Sequence, residues 1–261
     1  MSIPTSSGRS RHWNQVYDTK GAEQVSWFQP DPTVSLHLID GLTLDRAQPV
    51  IDIGGGASTL VDRLLERGHT DLTVLDVSAH ALGLAQRRLS DRGQQVHWEI
   101  AEQLGWTPPR RFALWHDRAV FHFLTDPHDR ARYRELATAS IIPGGYLIIA
   151  TFAADGPERC SGLPVSRYRA DELAEQLGAG FTTMTTRREH HHTPTGANQP
   201  FTWLLLRRTD TTNQHKPATV QSGRILHSPY ESARNHRGHR SRGQPGVVTR
   251  SPDSWPLSPL D

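Results

Sequence analysis

The sequence predicts an open α/β fold, in which helices cover both faces of a mostly parallel sheet. Helix and strand signals alternate from residue 31 to residue 208, as expected for repeated strand–helix–strand units. Two short apolar runs, 50–53 and 72–76, are especially informative: the first leads into Gly54, Gly55 and Gly56, and the second ends in Asp76. Together they predict a nucleoside-cofactor site at the carboxyl edge of the sheet, with glycines beside the ligand and an acid on the ribose.

The spacing of the glycines limits which cofactor this is. A dinucleotide fingerprint G-x-G-x-x-G that opens at Gly54 requires glycine where the chain has Thr59. The Walker alternative fails as well, because Gly-Lys-Ser/Thr does not occur in the chain. Neither of the two common phosphate-binding turns is therefore complete.

The pattern that remains, Asp-x-Gly-x-Gly-x-Ser at 52–58, resembles the first motif of the class I S-adenosylmethionine-dependent methyltransferases. The resemblance implies a Rossmann-like seven-stranded sheet of order 3-2-1-4-5-7-6 with one antiparallel strand. It also implies that S-adenosylmethionine is the cofactor, with Asp52 near its methionine moiety, Asp76 on both ribose hydroxyls and Glu102 near the adenine. The full expected set of cofactor-binding residues is Trp27, Asp52, Gly54, Gly55, Gly56, Asp76, Val77, Glu102 and His116.

Further strands follow in the order this fold requires. We expect them at 95–100, 112–117 and 145–152, the last entered by the turn Pro143-Gly144-Gly145, with a terminal hairpin of 180–187 and 201–207. Asp31-Pro32 and Asp126-Pro127 each read as an N-cap followed by proline at the first helical position. Ser78 is expected to cap the helix 79–89, and Gly178 to end the helix 171–177.

Composition divides the chain into three parts. Residues 1–30 are rich in aromatic and polar side chains, among them Trp13, Tyr17 and Trp27, and are expected to form a lid over the cofactor. Residues 31–208 are expected to form the methyltransferase domain. Residues 209–261 have few large aliphatic side chains and no sustained period, so we expect a disordered tail.

Candidate catalytic residues follow the fourth predicted strand, in the stretch Trp-His-Asp-Arg-Ala-Val-Phe-His. In open α/β sheets this edge places substrate next to cofactor. We expect Asp117 or His122 to accept a proton or anchor the substrate, with Arg118 orienting an anionic group. The alternative is that Asp117 and Arg118 pair with each other, and that His122 is a hydrogen-bonded helix histidine.

Two other features have chemical potential. His190, His191 and His192 are consecutive, but neighbouring strand residues point to opposite faces and no other ligand spacing accompanies them, so no metal site is expected. Cys160 is the single cysteine and lies in the loop after the fifth strand, without a recognisable base partner.

Overall composition limits the class of protein. The chain has 261 residues, 35% of them hydrophobic, and a net charge of +2. It is long enough for one good core, while its charge argues against nucleic-acid binding by that core. A single cysteine excludes an internal disulfide framework. No apolar signal segment or membrane span is visible, and we expect a cytoplasmic protein that does not contact membranes.

These observations lead to one functional prediction and its rivals. The chain is expected to transfer a methyl group from S-adenosylmethionine to a small-molecule nucleophile. A protein-lysine methyltransferase is one alternative, and a catalytically silent cofactor-binding interaction module is another. An NAD-dependent oxidoreductase is disfavoured by Thr59 and by the lack of a second substrate domain.

Overall fold

A computed structural model describes residues 6–209 of the chain. Its centre is a seven-stranded sheet flanked by helices. The long strands are β1 (Val50–Ile53), β2 (Leu72–Asp76), β3 (Val96–Ile100), β4 (Phe112–Arg118), β5 (Ile141–Phe152), β8 (Phe181–His192) and β9 (Asn198–Arg208); a small separate ribbon joins β6 (Arg159–Cys160) to β7 (Leu163–Pro164). The helices are α1 (Ser6–Lys20), α2 (Thr33–Asp40), α3 (Leu60–Glu66), α4 (Ala79–Leu89), α5 (Pro127–Ser140) and α6 (Ala170–Leu177).

The sheet has the predicted topology. Its order is β3-β2-β1-β4-β5-β9-β8, which is 3-2-1-4-5-7-6 when the ribbon is left out of the numbering. Strands β1 to β5 pair in parallel, and β9 pairs antiparallel with both β5 and β8. The predicted fold class is confirmed, including the single reversed strand. The strand order turns back between β1 and β4, where such sheets bind their ligands.

Side chains from both faces of this sheet form the core. On one face β1, β4 and β5 contribute Val50, Leu114 and Ile148, and on the other Ile51, Trp115 and Ile149. Because alternate strand residues point to opposite faces, each central strand is apolar on both sides. The polar exceptions, Asp52, His116 and Asp117, are concentrated near the carboxyl ends of β1 and β4.

Helix caps agree with the sequence in three of four cases. The Ser78 hydroxyl accepts a hydrogen bond from Ala81 N at 3.1 Å, the Asp126 carboxylate accepts one from His128 N at 2.7 Å, and Gly178 ends α6 with φ of 68°. The Asp31 cap was wrong. Helix α2 begins one residue later than the pattern indicated, and the Asp31 carboxylate instead accepts from Arg63 Nε at 3.0 Å.

Two segments differ in outline from the sequence prediction. The lid segment contains a helix, α1, that its irregular aromatic spacing did not predict. Strand β5 begins at Ile141, before the predicted Pro-Gly-Gly turn, and that turn is a bulge within the strand, where pairing shifts from Phe112↔Ile141 to Leu114↔Tyr146. Gly144 provides the positive φ of 72° that this bulge uses.

Helix α1 packs on the domain rather than apart from it. The Asn14 amide oxygen accepts hydrogen bonds from the Ser78 hydroxyl at 2.7 Å and from His80 N at 3.2 Å, both at the start of α4. The predicted tail lies, from residue 210 onwards, outside the described residues. Within residues 6–209, no helix is long and apolar enough to cross a bilayer.

Candidate active site

A cavity of about 460 Å³ lies at the carboxyl edge of the sheet, beside the point where the strand order turns back. Its lining comes from both sides of that point. Gly54, Asp76, Val77 and Glu102 border it from the turns after β1, β2 and β3, and Arg118 borders it from β4. Helix α1, Trp27, the β4–α5 turn and the β6–β7 ribbon form the rest of its wall. Five of the nine predicted cofactor-binding residues, these four and Trp27, therefore share one cavity.

The glycine turn after β1 is too tightly packed for side chains. A Cβ on Gly54, where φ is 65°, would lie 2.1 Å from Val120 Cγ2. A Cβ on Gly56, where φ is 48°, would lie 2.8 Å from Asp76 Oδ2. Gly55 has its own constraint, since a Cβ there would lie 2.5 Å from Asp52 Oδ2. Glycine at these positions therefore keeps the Asp52 and Asp76 carboxylates in place, although Gly56 itself does not border the large cavity.

Asp76, at the tip of β2, has the properties expected of a ribose-binding acid. It is buried, borders the large cavity, and accepts a hydrogen bond from Ser78 N at 2.7 Å. Burial raises its pKa to about 7, the nearby Asp52 charge adds to the rise, and backbone N–H groups of Ser78 and Val77 oppose it. Burial removes water from the Asp76 carboxylate. Hydroxyl donors bind it readily, because they replace the lost water.

Asp52 belongs to a buried chain of hydrogen bonds. His116 Nδ1 lies 2.7 Å from Asp52 Oδ1, and His116 Nε2 lies 2.9 Å from the hydroxyl oxygen of Ser35 on α2. These three hydrogen-bonded residues are the same types as a Ser-His-Asp triad. However, Ser35 is 1% exposed, and the adjoining cavity measures only about 50 Å³. A cavity of this volume is too small for an acyl substrate. The hydrogen bonds of His116 and Ser35 instead orient the Asp52 carboxylate beside Gly54 and Gly55.

Aromatic side chains cover the cavity from the N-terminal segment. Trp27 Nε1 donates to the Tyr17 hydroxyl at 3.2 Å, and the Trp27 ring meets Trp13 edge-on at 5.5 Å between centroids. Trp13 in turn meets Phe123, from the turn after β4, at 5.2 Å. The predicted lid residues thus form one continuous aromatic cluster beside the cavity, which reaches from Tyr17 in helix α1 to Phe123 in the turn after β4.

The N-terminal segment is also attached to the domain through an ion pair. Arg9 of α1 forms an ion pair with Glu102, the acid that follows β3, and both side chains border the cavity. Sequence reasoning selected Glu102 but missed Arg9 and His12, because the N-terminal segment was not expected to be helical. Arg9 and His12 are three residues apart, and Trp13 and Tyr17 are four apart. This spacing is typical of a helix and would have indicated α1.

The structure gives no geometric support to a catalytic role for Asp117. The side chain is fully buried and does not border either cavity. Its Oδ1 accepts from Val120 N at 3.0 Å and Phe121 N at 3.2 Å, and its Oδ2 accepts from the Tyr133 hydroxyl at 2.5 Å. Burial raises the pKa of Asp117 to about 6, while these hydrogen bonds act to lower it. Asp117 therefore fixes the turn after β4 to helix α5.

His122 is likewise absent from the lining of both cavities. Its ring is fully buried against Phe123 and Phe152, and neither ring nitrogen has a hydrogen-bond partner within residues 6–209. Burial, and then the charge of Arg118, lower its pKa to about 3. A histidine with this pKa is neutral near pH 7 and a weak base, which argues against the predicted role as proton acceptor.

The β6–β7 ribbon forms the wall opposite the glycine turn. Its two-residue turn, Ser161-Gly162, has φ of 47° and 79°, the signs of a type I′ hairpin. Cys160 lies in this ribbon, is 5% exposed, and borders the cavity. Burial raises the pKa of its thiol to about 12, so it remains protonated and unreactive near neutral pH.

The three consecutive histidines are separated as strand geometry predicts. His191 points inward and its Nε2 lies 2.7 Å from Ser26 O, whereas His190 and His192 are exposed. Across the described part of the chain, no group of three or more histidine, cysteine or acidic side chains is arranged to hold a metal ion.

The fold and the cavity define the class: an α/β protein that holds a nucleoside cofactor at the switch point of its sheet. A family model described as "Methyltransferase domain" matches residues 50–145, from β1 into the bulge of β5. The match covers the glycine turn, Asp76, Glu102 and the β4 edge. Over these residues the chain is similar to a methyltransferase domain, and the match supports the predicted class I S-adenosylmethionine-dependent methyltransferase family.

Known relatives agree with that assignment. The chain is 30% identical over 145 residues to trans-aconitate 2-methyltransferase of Sinorhizobium fredii, a match over 54% of this chain and 51% of that protein. It therefore spans about half the length of this relative. Among solved structures, 1,6-didemethyltoxoflavin-N1-methyltransferase of Burkholderia thailandensis, solved with S-adenosylhomocysteine, aligns with a TM-score of 0.58 at 22% identity over 80% of this chain and 93% of that one.

The fold also occurs in a protein with a different named activity. The [4+2]-cyclase SpnF aligns with a TM-score of 0.60 at 16% identity, over 80% of this chain and 98% of that chain. Likeness of fold alone therefore does not establish methyl transfer, and the argument for it depends on the site.

Proposed function

We propose that this protein transfers a methyl group from S-adenosylmethionine to a small-molecule acceptor. The observation that carries the proposal is the continuity of the large cavity, which borders Asp76 and Glu102 on one side and Arg118 and the β6–β7 ribbon on the other. A volume of about 460 Å³ is in the range of small-molecule sites, which span roughly 300–1,000 Å³.

The residues present fit the cofactor. Asp76 offers a buried acceptor for the ribose hydroxyls, and Asp52, oriented by His116, borders the small cavity that shares Gly54 with the large one. When bound, the cofactor supplies an electrophilic methyl group on a sulfonium. The chain's own contribution is to hold the acceptor in line and to exclude water, which Trp13, Trp27 and the ribbon do by enclosing the cavity.

The nature of the wall favours a small acceptor over a protein side chain. Helix α1 is fastened at two points, by the Arg9–Glu102 ion pair and by the bonds of Asn14 to the start of α4. The ribbon closes the other side with a turn of two residues. The names of the trans-aconitate and toxoflavin relatives, both of which refer to small molecules, support the same choice.

A binding and transfer experiment tests the proposal. S-adenosylhomocysteine should raise the melting temperature of the wild-type protein, because a ligand selective for the folded state stabilises it. Asp76→Ala should lose most of that shift. Asp91→Ala, which removes an exposed acid far from the cavity, is the matched control and should keep it.

Transfer is then measured with radiolabelled S-adenosylmethionine. The acceptor mixtures are trans-aconitate, a small-molecule extract and a protein extract. Label in a small molecule, dependent on Asp76, is the expected result. Label on one discrete polypeptide would favour the protein-lysine alternative, and cofactor binding without transfer to any fraction would favour the silent binding module.

A further inference from the structure

Arg118 is a buried cation whose hydrogen bonds are incomplete. It follows Asp117 at the end of β4, and its Nη1 donates to Trp27 O at 3.0 Å. Its Nε and Nη2 are buried and have no hydrogen-bond partner within residues 6–209, and no carboxylate in that range lies within 4.0 Å of the guanidinium. Buried N–H groups without an acceptor are rare in native proteins, and Arg118 borders the large cavity, so a ligand in that cavity is a candidate acceptor.

The nearest carboxylates are committed to other donors. Glu189 accepts from Gln29 Nε2 through Oε1 and from Trp203 Nε1 through Oε2, each at 2.8 Å. Asp52 accepts from His116. Both acids favour the charged form of Arg118 through space, against burial that lowers its pKa. The side chain thus keeps its charge while its Nε–Nη2 edge remains without an acceptor.

The unsatisfied edge has a definite chemistry. The N–H groups of Nε and Nη2 project in parallel from one side of the guanidinium plane, and this pair matches the two oxygens of a carboxylate. The plane is already fixed, by the bond to Trp27 O and by the Phe201 ring, whose centroid lies 4.6 Å from the guanidinium carbon. An arginine fixed in this way loses little freedom when it binds a planar anion.

We propose that Arg118 binds a carboxylate group of the methyl acceptor through its Nε–Nη2 edge. The inference rests on the proposed function and adds the substrate class, an acceptor that carries a carboxylate.

The position of Arg118 favours the acceptor over the cofactor as the source of the carboxylate. Phe201, which the guanidinium covers, lies on β9, two strands beyond β4. Gly54, Asp76 and Glu102 follow β1, β2 and β3, on the other side of β4. With neighbouring strands about 4.8 Å apart, the contact with Phe201 places the guanidinium on the β9 side of β4, while Arg118 also borders the small cavity lined by Asp52 and Gly54.

The test measures carboxylate binding to the full chain saturated with S-adenosylhomocysteine. Calorimetric titrations use acetate, benzoate, succinate and tricarballylate, each beside its neutral amide. In parallel, the Arg118 Nε–H signal of protein labelled with ¹⁵N-arginine is followed by NMR and assigned by its loss in Arg118→Lys. At least one acid should bind, shift this signal in a saturable way, and bind at least tenfold more tightly than its amide.

Variants separate the possible sources of the anion. Arg118→Lys should bind S-adenosylhomocysteine within about threefold of wild type and the acid at least tenfold more weakly. Arg187→Lys, which changes an exposed arginine of β8 that borders neither cavity, should leave both affinities unchanged. The wild-type titrations do not depend on either variant folding.

Three outcomes would be adverse, and they are distinguishable. If no acid binds while S-adenosylhomocysteine does, the inference is overturned and the proposed function stands. If Arg118→Lys weakens S-adenosylhomocysteine at least tenfold but leaves 5′-methylthioadenosine unchanged, the carboxylate belongs to the cofactor and the inference is overturned. If S-adenosylhomocysteine does not bind the wild-type protein, the proposed function itself fails.

Discussion

Cofactor affinity should depend on pH through Asp76. This carboxyl group borders the cavity, and burial raises its pKa to about 7. The ionised form is the one that accepts both ribose hydroxyls, so bound cofactor should lower this pKa and binding should release a proton. As pH falls through 7, Asp76 takes up a proton and the affinity for S-adenosylhomocysteine should fall with it.

The size of the effect follows from the titration. With a pKa of about 7, roughly nine tenths of Asp76 is ionised at pH 8 and roughly one tenth at pH 6. The apparent dissociation constant should therefore rise about tenfold between these values, or about 1.4 kcal/mol. About 0.9 proton should be released per ligand bound at pH 6, and about 0.1 at pH 8.

Isothermal calorimetry in buffers of different ionisation heat measures both quantities. Asp76→Asn keeps the shape of the side chain and removes its titration, so its weaker binding should be flat over the same range. Asp91→Asn, an exposed site, should behave as wild type. A flat wild-type profile, or the same slope in Asp76→Asn, would refute the assignment of the titrating group.

Three further predictions concern packing and hydrogen bonds. Gly54→Ala should lower the melting temperature because its Cβ would lie 2.1 Å from Val120 Cγ2, and Val120→Ala should rescue part of the loss; absence of rescue would refute the clash. Tyr133→Phe removes the 2.5 Å bond to buried Asp117 and should cost about 1–3 kcal/mol in urea unfolding, so a smaller loss would contradict the network. Ser78→Ala should cost about 1 kcal/mol through its lost cap, whereas Ser78→Thr, measured in the same way, should not.

Much of the cofactor half of the site could be predicted from sequence because its determinants are local. Gly55 is constrained by Asp52, three residues earlier, and Asp76 ends the very next strand. Caps such as Ser78 depend on hydrogen bonds only three residues away. Such features are specified by adjacent residues, so the pattern alone indicates them.

The acceptor half depends on contacts between distant parts of the chain, and prediction was weaker there. Asp117 was selected because it is polar among apolar neighbours, yet its carboxylate binds Tyr133 of a helix that the motif does not contain. Glu102 has its partner in Arg9, 93 residues earlier. Arg118 was placed correctly at the strand end, but only its surroundings reveal that its Nε–Nη2 edge has no acceptor.

The ribbon turn at Ser161-Gly162 has a consequence for how acceptor preference changes during evolution. A hairpin closed by two residues of positive φ is stiff. The wall that an acceptor contacts therefore has its shape before the acceptor binds, and the site discriminates by excluding molecules that do not fit. The ribbon forms its own two-stranded sheet, apart from the strands that bear Gly54 and Asp76. Substitutions at Leu163 or Pro164 would therefore alter which acceptors bind and leave the cofactor-binding residues unchanged.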